Sequence, residues 1–254
     1  MYIIIFIISL AVLILVHEFG HFIVAKLFGI RVDEFALGFP PRLWAKEWRG
    51  TTYSINAIPF GGYVKIFGED SDTENISAAE KKVSFTDKSK WIQAATLIAG
   101  IVMNLIFAWF LVYLLVLKSD GFFFAFADSA HITYVVTKET VVGLAAFLWH
   151  IVTLHADFSQ VAGPIGIASI FSQATVAGFS QVVFLVAIIS VNLAIINLIP
   201  FPALDGGRLL FVAIEAIIRR PIPPKIVQWT NNIGFALLIV LMIVVTAHDI
   251  LKLI

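Results

Sequence analysis

The chain has 254 residues, 60% hydrophobic and 13% charged, with a mean hydropathy of +0.96, against roughly 45–50% apolar and 25% charged in an ordinary soluble domain. Lys plus Arg and Asp plus Glu both total 17, so no basic surface argues for a nucleic-acid partner. With no cysteine, disulfides and thiolate metal ligands are excluded, and any metal must be held by His, Asp, Glu or Asn.

A helix crossing a bilayer core of about 30 Å needs about 20 largely apolar residues. Residues 2–28 form the first such stretch, and with neither a positive leading segment nor a small-residue cleavage site it reads as a retained helix, not a signal peptide. Within it lies His17-Glu18-Phe19-Gly20-His21. Helix positions four apart differ by about 6 Å in rise and about 40° in azimuth, so both imidazoles project from one face and can grip one Zn²⁺. Glu18 sits one step round the helix, where its carboxylate can take a proton from a water at the metal. Imidazoles and carboxylates inside a membrane helix demand compensation, which a metal provides. The plainer reading is a helix end whose polar groups reach the headgroups, but the apolar run FIVAKLF continues beyond the motif. Val24 and Leu27 occupy the places where the longer HExxHxxGxxH motif has Gly and a third His, so the remaining ligand must come from elsewhere.

Residues 29–90 form a polar loop with nine Lys or Arg and nine Asp or Glu. Its segment 49–65, RGTTYSINAIPFGGYVK, predicts a hairpin or small sheet. Residues 66–88 read as a mobile connector, and the whole loop is alternatively a solvated linker. The second span is predicted at 91–117. Beyond it, FFFAF at 122–126 fits a helix end seated at the membrane interface, and the apolar stretch 140–154 is too short to cross, predicting an interfacial or cavity-edge helix.

A third span is predicted over 181–218, broken at 200–207 by the run PFPALDGG and carrying Asn192 and Asn197. Non-helical backbone at membrane depth is tolerated only where protein or a wet cavity satisfies it, so the break should line a cavity. Asp205, in the break, is an oxygen ligand suited to zinc, and a catalytic site wants three protein ligands with one position open. Asp205 could equally N-cap the second half-helix. The fourth span is 227–251. Nine basic residues in 29–90, against Lys118 and Lys138 alone in 118–180, put 29–90 and the basic turn at Arg219, Arg220 and Lys225 in the cytoplasm and both termini outside. The fold class is thus an all-α polytopic membrane protein: one domain, 1–254, of about four transmembrane helices, a small β loop and a short interfacial helix.

HEFGH followed by NLIPFPALDGG closely resembles the site-2 protease family of intramembrane zinc metalloproteases. FALGFPPRL, PFGGYVK and GPIGI at 163–167 resemble its bacterial branch, which contains the regulator of sigma E protease. The resemblance covers about 1–117 and 138–254. It implies that His17, His21 and Asp205 bind zinc, that Glu18 activates water, and that Asn197 assists the substrate or the developing oxyanion. It implies a four-span core whose strand-forming loop, about 35–65, receives substrate as an added strand. Implied substrates are transmembrane helices of other proteins, such as anti-sigma-factor-like proteins or signal-peptide remnants, cleaved in a bacterial cytoplasmic membrane from its cytoplasmic side. Two departures stand out. The AGPxxN signature appears as AGIVMN, with Ile101 for proline and Asn104 kept. The PDZ domain usual between the second and third spans has only residues 118–137 in its place, too few for a domain, so substrate choice is expected to rest on a small lid built from residues 122–126, the 140–154 helix and the loop through Gly163-Pro164, or alternatively on a separate gating partner. Two rival readings are a metal-binding membrane transporter, favoured by the broken helix, and an inactive relative serving as a scaffold. A transporter has no use for Glu18 beside two histidines.

Overall fold

The computed structural model describes residues 2–69, 77–153 and 162–252. In chain order the elements are α1 (Tyr2–Leu27), β1 (Val32–Trp48), β2 (Thr51–Ile66), α2 (Ala78–Lys81), α3 (Lys90–Asp120), α4 (Phe122–Val152), α5 (Pro164–Ala177), α6 (Phe179–Leu198), α7 (Asp205–Ile218) and α8 (Pro224–Leu251). Among the described residues five helices, α1, α3, α4, α6 and α8, are long and apolar enough to cross a membrane. The chain is a polytopic membrane protein with a small sheet. Its contacts separate two compact units, one of Met1–Phe6, Leu105–Ile195 and Phe235–Ile254, the other of Ile7–Asn104 and Ile196–Gly234.

In the second unit, Ala25, Ile30, Val32, Ile66, Phe85, Leu97 and Val212 form one buried cluster, so the sheet packs on the same core as α1, α3 and α7. β1 pairs antiparallel with β2. The sheet is longer than the 49–65 hairpin because repeated register shifts let Glu34 to Leu37 lie between two parts of β2, facing Thr52 to Ile55 on one side and Lys65 to Gly62 on the other. The predicted mobile connector is corrected where it is described. Ser84 and Phe85 are buried, Arg31 N–H donates to the Val83 carbonyl, and Phe85 N–H donates to the Phe67 carbonyl, each at 2.9 Å. Residues 70–76 of that call lie outside the described residues.

The sheet holds a buried carboxylate, Glu34, which accepts from Ser54 Oγ at 2.6 Å and Arg42 Nη2 at 2.7 Å. Burial pushes its pKa up, but the hydrogen bonds from Ser54 and Arg42 and the Arg42 charge outweigh it and hold Glu34 below the usual carboxylate range. A depressed folded-state pKa contributes stability that is present above the unfolded value, about 4.3, and lost as pH falls through the folded value. Hydrogen exchange of the β1–β2 amides is therefore expected to quicken below about pH 4, and Glu34→Gln should flatten that dependence. An unchanged profile in Glu34→Gln would contradict the assignment.

In the first unit, Ile132, Val136 and Leu144 of α4 pack on a cluster formed by Ala108 and Val112 of α3 with Ala187, Val191 and Ile195 of α6. Thr140 Oγ1 donates to Asn192 Oδ1 at 2.9 Å. Residues 140–152 thus belong to the second half of a 31-residue helix packed on α3 and α6, longer than the short stretch expected. The predicted end of that stretch, Leu154, lies outside the described residues. The GPIGI run starts α5: Gly163 is its N-cap, Pro164 its first residue, and Gly166 N–H donates to Asp249 Oδ2 of α8 at 2.7 Å. A carboxylate at the positive end of a helix is well placed, and Gly163 makes room, since a Cβ there would lie 2.7 Å from Asp249 Oδ2. Phe171 of α5 packs on Phe6 of α1 with centroids 5.3 Å apart, so one short helix touches both the start of α1 and the end of α8.

Candidate active site

α1 and α3 cross at their glycines. A Cβ on Gly20 would overlap the backbone of Ala99, and one on Gly100 would stand 2.7 Å from His21 Cε1 and 2.8 Å from His17 Cε1. This close approach seats both imidazoles, 6% and 7% exposed, against α3. The Ile101 that replaces proline is buried, and α3 runs as a helix through it.

α6 stops at Leu198, and α7 begins at Asp205 after a break in which Ala203 takes a left-handed backbone, φ 71°. The glycines after Asp205 are forced by contact, since a Cβ on Gly206 or Gly207 would overlap the Leu198–Ile199 or the Phe201 backbone. Leu204 is the N-cap of α7 and no side-chain cap bond is made, so Asp205 is not the cap. Its Oδ2 instead lies 2.9 Å from His17 Nε2 and 3.2 Å from His21 Nε2, and the two Nε2 atoms are 3.2 Å apart.

That triangle is the test of whether a metal fits. Metal–ligand distances of about 2.0–2.1 Å at a tetrahedral angle give ligand–ligand edges of about 3.3 Å, close to the three observed. The polarity also fits. His21 Nδ1–H donates to the Thr96 carbonyl at 2.8 Å, so a neutral His21 turns a bare Nε2 lone pair toward the carboxylate oxygen. Asn104 Nδ2 lies 3.3 Å from His17 Nδ1. The two ends of an amide have the same shape, and turning this one makes its oxygen the acceptor of the Nδ1–H, again freeing Nε2. Lone pairs converging on one point call for a cation. His17, His21 and Asp205 are also the one group of three or more His, Cys, Asp or Glu side chains, among the described residues, able to hold a metal ion.

Glu18 is half-buried beside this triangle but outside it, its Oε2 accepting the Val64 N–H of β2 at 3.0 Å. Asn197 is half-buried in the last turn of α6, and among the described residues no hydrogen bond joins it to the three donors. Sequence reasoning missed Thr96, Gly100, Val64 and Asn231, whose parts depend on contacts between distant segments. Asn231 of α8 accepts the Ala203 N–H at 3.3 Å, bracing the strained residue two before Asp205. It also lines a cavity of about 420 Å³ in this unit, with Gln93, Arg208, Glu215 and Gln228. None of the three donors lines that cavity.

Gly100→Ala is expected to lower zinc affinity roughly ten- to a hundredfold, the scale of a lost outer-shell contact, because its methyl must displace both rings while removing no ligand. Metal content of the purified variant checks this. Full occupancy would show that the rings can yield.

Peptidase family M50 matches residues 5–241 of the chain. A protein of Clostridium perfringens, named as an inferred zinc metalloprotease, is 30% identical, the match covering 99% of each chain. Similarly named proteins of Clostridium acetobutylicum and Synechocystis are 29% and 30% identical, over 98% and 96% of this chain and 97% and 93% of theirs. The Clostridium perfringens alignment runs to 331 positions, more than the 254 residues here, so this chain lacks segments that the relative carries. The fold and the two-histidine, one-carboxylate centre define a membrane-embedded metallopeptidase. The chain belongs to Peptidase family M50, the site-2 protease family.

Proposed function

We propose that this protein is an intramembrane zinc endopeptidase that hydrolyses peptide bonds within transmembrane helices of other membrane proteins. The observation that carries the reading is the triangle of His17, His21 and Asp205 donor atoms with Glu18 beside it. Zinc held there would lower the pKa of water toward about 7 and polarise the scissile carbonyl. Glu18 takes the proton from the attacking water and returns it to the leaving amine. Its bond to Val64 N–H fixes the carboxylate and ties the base to the sheet. A helical substrate must unwind before its carbonyls are exposed, and adding it as a strand to the β1–β2 sheet replaces its lost hydrogen bonds. Asn197 is assigned to the substrate carbonyl or the developing oxyanion. Substrates of the anti-sigma-factor or signal-peptide-remnant kind fit this chemistry, and a separate membrane partner supplies the filter a PDZ domain would give.

The test is cleavage of a single-span peptide by purified protein in bilayers, with metal content measured beside it. Activity that a chelator removes and zinc restores is expected. Cleavage indifferent to chelation sinks the proposal.

The orientation follows the basic residues, with 29–90 cytoplasmic and both termini outside. Lys82→Cys in this cysteine-free chain is expected to resist an impermeant thiol reagent in intact cells and to react after lysis. Labelling before lysis would invert the topology.

A further inference from the structure

α4, which is long and apolar enough to cross a membrane, carries an adjacent pair of charged side chains near its middle. Lys138 and Glu139 stand near the middle of the helix, next to Thr140, whose hydroxyl bonds Asn192 well inside α6. Both are exposed, and among the described residues neither has an ion-pair partner in the chain. Charged groups in hydrocarbon are costly and pair with one another where they can.

The arrangement around them is specific. At about 100° per residue, Lys138 and Glu139 flank one line along α4 at about 50° to either side, while Val135 and Val142 lie within about 10° of that line. Val135 and Val142 are 39% and 54% exposed, and His131, Ala146 and Trp149, within about 30° of the same line, are exposed too. Leu144, on the opposite side of α4, packs on α3 and α6 together with Val136 and Ile132, which lie about 110° and 70° from the line on its Glu139 side.

We propose that a second copy of this chain docks on this stripe, α4 against α4. Two copies in one membrane share an orientation, so their two-fold axis runs along the membrane normal and the helices lie parallel. Rotation about that axis brings the Lys138 side of one helix onto the Glu139 side of the other, and the reverse. Both charges are then paired reciprocally at one depth, with Val135 and Val142 at the contact line. An unrelated helix would need adjacent opposite charges at the same level, whereas a second copy has them by construction. The inference rests on the membrane position of α4, not on the metal centre.

The test uses the full chain in bilayers at low protein-to-lipid ratio. Wild type is expected to be dimeric, and Val142→Cys should form an intermolecular disulfide readily while exposed Val141→Cys, about 100° away, should not. Lys138→Glu alone and Glu139→Lys alone should each weaken association about tenfold, the scale of interhelical polar contacts in membranes. An equimolar mixture of these two variants should regain it, because each helix then offers two like charges to a partner bearing two of opposite sign. That rescue also shows the variants to be folded. A monomeric wild type, equal cross-linking at 141 and 142, no rescue in the mixture, or cross-linking of the stripe to a different membrane protein instead of a second copy would each overturn the proposal.

Discussion

Glu18→Gln is expected to reduce cleavage of a single-span substrate by a factor of about 10²–10⁴, the usual contribution of a positioned general base, while zinc content stays at the wild-type level. The separation follows from the geometry. The metal donors are His17, His21 and Asp205, and the Glu18 carboxylate points instead to Val64 N–H at 3.0 Å. Glutamine has the same shape, and its carbonyl oxygen can accept the same N–H, so β2 keeps its anchor and α1 its packing. What is lost is only the ability to accept a proton. Metal analysis beside the rate measurement distinguishes this from collapse of the site. Retention of more than a few per cent of the rate would remove Glu18 from the role of base, and loss of zinc would make it part of the metal's support.

How far the site was legible depended on whether its parts are local. HEFGH is read from helix period alone, because positions 17 and 21 of one helix must share a face whatever surrounds them. Asp205 was legible as a carboxylate in a helix break, but whether it capped α7 or faced α1 turned on the conformation of 199–204, in which Ala203 takes a left-handed backbone. The supporting contacts were not legible. Gly100 matters because its missing side chain leaves room for two rings from a helix some eighty residues earlier, and Thr96 offers a backbone carbonyl that any residue would carry. On the fold, the spans α1, α3 and α8 follow from unbroken apolar runs. α4 was read short because Asp128, Lys138 and Glu139 interrupt its hydropathy, yet they lie on its exposed side while Ile132, Val136 and Leu144 make the packing face. α5 was missed because fourteen residues opening on Gly-Pro look like a turn until Asp249, from the far end of the chain, supplies the charge at its first turn.

Asp205→Ala is expected to empty the metal centre. The three donor atoms stand 2.9 to 3.2 Å apart, and removing the carboxylate leaves two neutral imidazoles, short of the three protein ligands a catalytic zinc site needs. It also removes the anion that offsets a doubly charged ion in a buried site. Metal affinity should therefore fall by more than the roughly ten- to hundredfold of a lost outer-shell contact, and cleavage should vanish with it. Asp205→Asn should fall between, because an amide oxygen can still reach the imidazoles but carries no charge. The alternative role, capping α7, predicts the opposite order of effects: a loss of helix stability with zinc retained, and near-full rescue by asparagine, itself a good N-cap. Leu204 already holds the N-cap position, and Asp205 makes no side-chain cap bond. Zinc titration of wild type, Asp205→Asn and Asp205→Ala, with thermal unfolding measured in parallel, reads both quantities. Normal zinc binding by Asp205→Ala would mean that the third ligand lies elsewhere, and a ranking of asparagine with wild type would mean that charge at this position is dispensable.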